Sequence, residues 1–140
     1  MFSYSGSLEE VGPGRNTSAL LSTRGYVKID GQRIRGVTVT DFMDGLLAPG
    51  EKMTLSMGFI FFRRWLLAVR RDGEVLREGL FVFLGGLMTH LVGVTLVGGL
   101  ITLAVGAMLG EAAATVAGIG LVIYGLGTAA INVKAWLAPA

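Results

Sequence analysis

The sequence contains no cysteine and a single histidine, His90. Disulfides, thiolate nucleophiles and metal sites built from Cys and His clusters are thereby excluded. Charge is missing over long stretches. No Asp, Glu, Lys or Arg occurs from Leu80 to Met108, and none from Ala112 to Val133. The N-terminus has no basic segment followed by an apolar one, so no cleaved signal peptide is expected. No Gly-Lys-Ser/Thr follows a glycine-rich turn, which excludes a P-loop; Gly118-Ile119-Gly120 lies inside an apolar run rather than after a strand. Asp41 and Asp44 could form a carboxylate pair, but beside a turn they read as turn and capping residues.

What is present is apolar. With 52% hydrophobic residues and a mean hydropathy of +0.65, the chain is too apolar for an ordinary soluble domain of 140 residues. A helix needs roughly 20 apolar residues to cross a hydrocarbon core of about 30 Å. Residues 80–109 and 112–137 each meet that length, and only Gly110 and Glu111 separate them. So short a joint predicts a tight antiparallel transmembrane hairpin over residues 80–137. Phe81, Phe83 and Trp136 stand where interfacial aromatic anchors belong.

Almost all charge precedes Gly79; beyond it only Glu111 and Lys134 remain. Arg63, Arg64, Arg70, Arg71 and Arg77 come before the first helix, and Lys134 ends the second. Basic flanks favour the cytoplasmic side, so both termini are expected there, in a bacterial inner membrane, with Glu111 opposite. These six residues form a basic membrane-surface set that could meet anionic headgroups. The net charge of +2 is too mild to argue for nucleic acid, and the cluster Lys28, Arg33 and Arg35 with Tyr26 is interrupted by Asp30, Asp41 and Asp44.

Glycine is frequent in both runs. Gly86, Gly93, Gly99, Gly106 and Gly110 in the first, and Gly118, Gly120, Gly125 and Gly127 in the second, let helix backbones approach closely. They fall on more than one face of each helix, and one partner helix covers one face. A homo-oligomer or a larger membrane complex is therefore expected. Counting outward from the turn, His90 is level with about residue 131, which predicts an interhelical hydrogen bond between His90 and Asn132. The glycine-rich hairpin resembles rotor-ring subunits of rotary ATPases, but Ala112–Leu137 carries no carboxylate for a proton, so that family is excluded.

Ahead of the hairpin, residues 1–23 are rich in Ser and Gly, with Gly12-Pro13-Gly14 among them, and read as a flexible arm with a short helical turn around Leu8. Asn16-Thr17-Ser18 matches the glycosylation pattern, which is common by chance. From Gly25 the texture alternates. Asp30-Gly31 and Asp72-Gly73 each lie between strand-like runs, and two such signals predict two hairpins. Residues 59–71 admit a strand or a basic amphipathic surface helix, and the neighbouring turn favours the strand.

The expected whole is an α+β membrane protein. An arm (1–23) leads into a small antiparallel β-domain of SH3- or OB-like character (24–79) and then the hairpin. No cofactor, metal or catalytic residue is predicted. The expected role is a non-enzymatic, membrane-anchored scaffold subunit, the alternative being a small oligomeric pore gated by the β-domain.

Overall fold

The computed structural model describes residues 2–17, 21–60 and 63–137. Seven strands precede two long helices: β1 (Phe2–Val11), β2 (Gly14–Asn16), β3 (Leu21–Ile29), β4 (Gln32–Thr40), β5 (Lys52–Ile60), β6 (Arg63–Arg71) and β7 (Glu74–Arg77). A short helix α1 (Asp41–Gly45) joins β4 to β5, and the chain continues in α2 (Leu80–Leu109) and α3 (Glu111–Leu137). Ser18 of the glycosylation pattern, and Phe61 and Phe62 within residues 59–71, lie outside the described residues.

Both hairpin signals are realised. Asp30 and Gly31 have φ of 48° and 78°, and Asp72 and Gly73 have 51° and 83°. Left-handed backbone at both central residues matches the twist of the flanking strands, which is why Asp-Gly suits these turns. The β3–β4 and β6–β7 pairs follow in antiparallel register, Ile29↔Gln32 and Arg71↔Glu74. Residues 63–71 are a strand, so the surface-helix alternative for this segment falls.

Five strands close on themselves. Around the barrel the order is β1, β5, β6, β4, β3 and back to β1, all antiparallel except the short β4–β6 contact at Val37↔Arg64 and Thr38↔Trp65. The strand that closes the barrel comes from the expected flexible arm, a correction to the sequence reading. β1 pairs with β5 through Phe2↔Met57 to Ser7↔Lys52, then bends at a register shift and pairs with β3 from Leu8↔Ile29. Leu8, expected in a helical turn, is instead a fully buried strand residue. Inward side chains such as Leu8, Val27, Val37, Leu55, Leu66 and Val69 fill the barrel, and Met43 of α1 and Leu47 close one end. Thr40 starts α1 by accepting the Met43 N–H at 3.2 Å.

The two helices are of a different kind. Each is long and apolar enough to cross a membrane, with mean hydropathies of 2.2 and 1.8 over the most apolar windows. Only 6% and 11% of those windows are buried, so neither helix is the core of a soluble fold. Gly110 makes the joint with φ of +90°, a value that favours glycine, and its N–H closes α2 on the Gly106 carbonyl.

Candidate functional site: the seam between barrel and helices

The outer wall of β5 and β6 meets the base of the helix pair in a second apolar cluster. Trp65 and Leu67 point out of the barrel, and with Ile60 they pack against Phe83 of α2 and Ala135 of α3. The Trp65 and Phe83 rings stack at 6.1 Å, and Phe83 stacks on Trp136 at 5.1 Å. Two glycines permit the approach. A Cβ on Gly86 would stand 2.4 Å from Trp65 Cη2, and one on Gly58 would stand 2.1 Å from Asn132 Oδ1. A methyl at either position would displace the Trp65 ring or the Asn132 carboxamide.

Polar bonds fix the same seam. The Asn132 carboxamide accepts the Phe59 N–H at 2.6 Å and donates to the Phe59 carbonyl at 2.7 Å. Phe59 lies two residues past the Phe2↔Met57 pair, so the side chain takes the place a neighbouring strand would occupy. Glu78, 3% exposed, is the other node. Its carboxylate accepts the Thr40 hydroxyl at 2.6 Å and the Gly79 N–H at 3.0 Å, while its carbonyl accepts Trp136 Nε1–H at 2.8 Å. β4, the start of α2 and the end of α3 are thereby joined at one residue.

Of the expected pair, Asn132 bonds to Phe59 and His90 to Thr128. The reason is depth: Asn132 is drawn to the barrel wall, and His90 Nε2 lies 2.8 Å from the hydroxyl of Thr128, one turn farther along α3. That hydroxyl also faces the Tyr124 and Gly125 carbonyls at 2.9 and 3.0 Å. A hydroxyl has one proton, so when Thr128 donates to its own helix it accepts from His90 Nε2–H. His90→Leu and Thr128→Val should each lower unfolding stability in detergent by about 0.5–1.5 kcal/mol. The double variant should cost little more than either single one; full additivity would exclude the coupling.

The structure divides the glycines among three tasks. Gly106, Gly118 and Gly125 lie where α2 meets α3, their missing Cβ positions 3.2 to 3.7 Å from Ala114, Thr102 and Val94. Gly98 belongs with them, 3.1 Å from Leu121, and was absent from the sequence-based set. Gly86 faces the barrel rather than a helix, and Gly110 makes the turn. Gly99, Gly120 and Gly127 have nothing within 4 Å, so they lie on the open faces. Gly93 is half-buried on α2. A groove of about 540 Å³ runs between the helices over Val94, Gly98, Thr102 and Gly118.

The basic set also separates. Arg63 and Arg64 begin β6 and Arg70 and Arg71 end it, about 20 Å away at 3.3 Å per residue. Arg71 pairs with Glu51 at 2.8 Å. Arg77 donates to the Leu137 carbonyl at 3.1 Å, and Lys134 is exposed on the last turn of α3. The β3–β4 face is internally matched: Lys28 pairs with Glu9 at 2.5 Å, Arg24 with Asp44, and Arg33 lies 3.7 Å over the Tyr26 ring. The Lys28 ammonium, with the Gly31 N–H, holds the Glu9 carboxyl below the usual carboxylate range. The Glu10 carboxylate, accepting from the phenol, holds Tyr26 protonated to higher pH than an ordinary tyrosine. Asp44 is thus an ion-pair partner, and among the described residues no group of acids and histidine is placed to hold a metal.

Compared with models of known families, with curated proteins and with solved structures, the chain matches none.

Proposed function

We propose that this chain is a non-enzymatic, membrane-anchored interaction subunit. In this reading α2 and α3 span a bacterial inner membrane as a hairpin, both termini are cytoplasmic, and the barrel receives a partner at the membrane surface. The observation that carries it is the outer surface of the helices. Leu96, Leu100, Leu103, Val116, Ile123 and Leu126 are each more than half exposed. A surface this apolar and continuous must be covered by lipid or protein.

The open glycines add the second element. Gly99 on α2, and Gly120 and Gly127 seven apart on α3, leave faces where another helix can approach closely. The subunit accordingly assembles with copies of itself or with a larger membrane complex. The strand order of the barrel is that of OB-type Greek-key barrels, a fold that hosts many unrelated functions and so carries no activity by itself. Nucleic acid is disfavoured as partner because Lys28 and Arg24 are already matched by acids.

Native mass of the protein, gently extracted with its co-purifying chains, tests the reading. A discrete homo-oligomer or a defined hetero-complex supports it, and a bare monomer overturns it. Ion flux in liposomes then separates a scaffold, which is silent, from the pore alternative.

A further inference from the structure

The contacts along the seam fall in a sequence that fixes which end of the barrel the helices leave. At one level Trp136 and Phe83 meet Glu78 and Leu67. One turn farther, Asn132 and Gly86 meet Phe59 and Trp65, and Arg64 pairs with Phe59 across the β5–β6 ladder. One turn farther again, His90 and Thr128 touch each other, past the barrel wall. The helices therefore run along β6 from Leu67 towards Arg63 and then beyond it.

Length places that end against the bilayer. Beyond His90, α2 has about 19 residues, roughly 28 Å at 1.5 Å per residue, which is about one hydrocarbon thickness. The whole helix of 30 residues spans about 45 Å, the thickness including headgroups. The start of β6 is thus at headgroup depth, and its far end is about 20 Å back. Among the described residues neither Arg63 nor Arg64 forms an ion pair; Arg64 donates to the Arg35 carbonyl at 3.3 Å, leaving its charge unbalanced. At the far end Arg71 is balanced by Glu51.

We infer that Arg63 and Arg64 form a headgroup site selective for anionic phospholipid, and that Arg70 and Arg71 take no part in it. The inference rests on the hairpin spanning the bilayer. Two positive charges at the membrane surface with no carboxylate beside them attract lipid phosphate that carries net charge over zwitterionic lipid. A guanidinium can also bond phosphate through paired N–H groups.

The chain has two tryptophans, and both lie in this seam. Full-length protein in liposomes is titrated with phosphatidylglycerol or phosphatidylcholine brominated near the headgroup end, and tryptophan quenching gives the preference between them. The expected result is a preference for phosphatidylglycerol that falls about fivefold per arginine removed in Arg63→Gln and Arg64→Gln. It should return with Arg63→Lys and Arg64→Lys, and survive Arg70→Gln with Arg71→Gln. Quenching by both lipids with no preference, or a preference indifferent to Arg63 and Arg64, overturns this inference and leaves the spanning hairpin standing. No quenching by either lipid overturns the hairpin itself. A preference lost equally on changing Arg70 and Arg71 assigns it to overall charge and overturns the site.

Discussion

Asn132→Leu should release the end of α3 from the barrel and cost about 2–4 kcal/mol of unfolding stability. Leucine keeps the branched outline of asparagine with bulkier tips, so the loss is chiefly polar. Both hydrogen bonds to Phe59 go, and its N–H and carbonyl are left under an apolar side chain at about 1–3 kcal/mol each. Phe59 is half-buried, which keeps the total in the lower part of that sum. Trp136, on the next turn, should move into a wetter setting, so its fluorescence reports detachment separately from unfolding. Gly58→Ala should act through the same contact, because its methyl would overlap Asn132 Oδ1. In an Asn132→Ala background only the milder overlap with Leu67 Cδ1, at 2.9 Å, remains, and Gly58→Ala should cost much less. A coupling below about 0.5 kcal/mol in that double-mutant cycle would show that the two residues do not share a contact.

Gly85→Ala and Gly86→Ala should have opposite signs, although they are neighbours in one helix. Helix propensity alone favours alanine over glycine by about 1 kcal/mol at both positions. At Gly85 a Cβ meets nothing within 4 Å, so that preference should appear as a gain or no change. At Gly86 the methyl would stand 2.4 Å from a Trp65 ring that is 1% exposed and stacked on Phe83. Overpacking of this kind costs typically about 1–3 kcal/mol, which exceeds the propensity gain. Thermal unfolding in detergent, followed by tryptophan fluorescence, measures both. A stabilising Gly86→Ala would mean that α2 does not rest on Trp65.

These contacts show where sequence reasoning reaches. The turns at Asp30-Gly31 and Asp72-Gly73 were legible because their backbone preference is local to two residues. The helices were legible for the same reason: an apolar run of this length has a periodicity and a solvent requirement that no neighbour needs to supply. β1 was misread because residues 1–23 as a whole are rich in Ser and Gly. Its alternation of Phe2, Tyr4 and Leu8 with Ser3, Ser5 and Ser7 was the available signal. Gly6 interrupts that pattern, and φ of +151° there lets the strand pass against Asp30, where a Cβ would stand 2.4 Å away.

The candidate site was less legible than the fold. Level-counting from the Gly110 turn brought His90 and Asn132 to nearly the same depth, but it assumed that the helices meet only each other. The barrel wall supplies Phe59 as a better partner for Asn132, at a separation of 73 residues that no local pattern records. The five arginines were grouped because they are close in sequence; an extended β6 then carries Arg63 and Arg64 about 20 Å from Arg70 and Arg71, where a helix would have kept them within a few turns.

The sequence by itself determined the two hairpin turns, the two long apolar helices and their tight reversal at Gly110, since each depends on residues within a few positions of one another. Only the tertiary structure decided that β1 closes the barrel, that Gly58 and Gly86 are docking points, and which arginines stand beside the helices. Those outcomes depend on side chains meeting across dozens of residues. There the free energy lies in which surfaces exclude water together, not in the preference of any single segment.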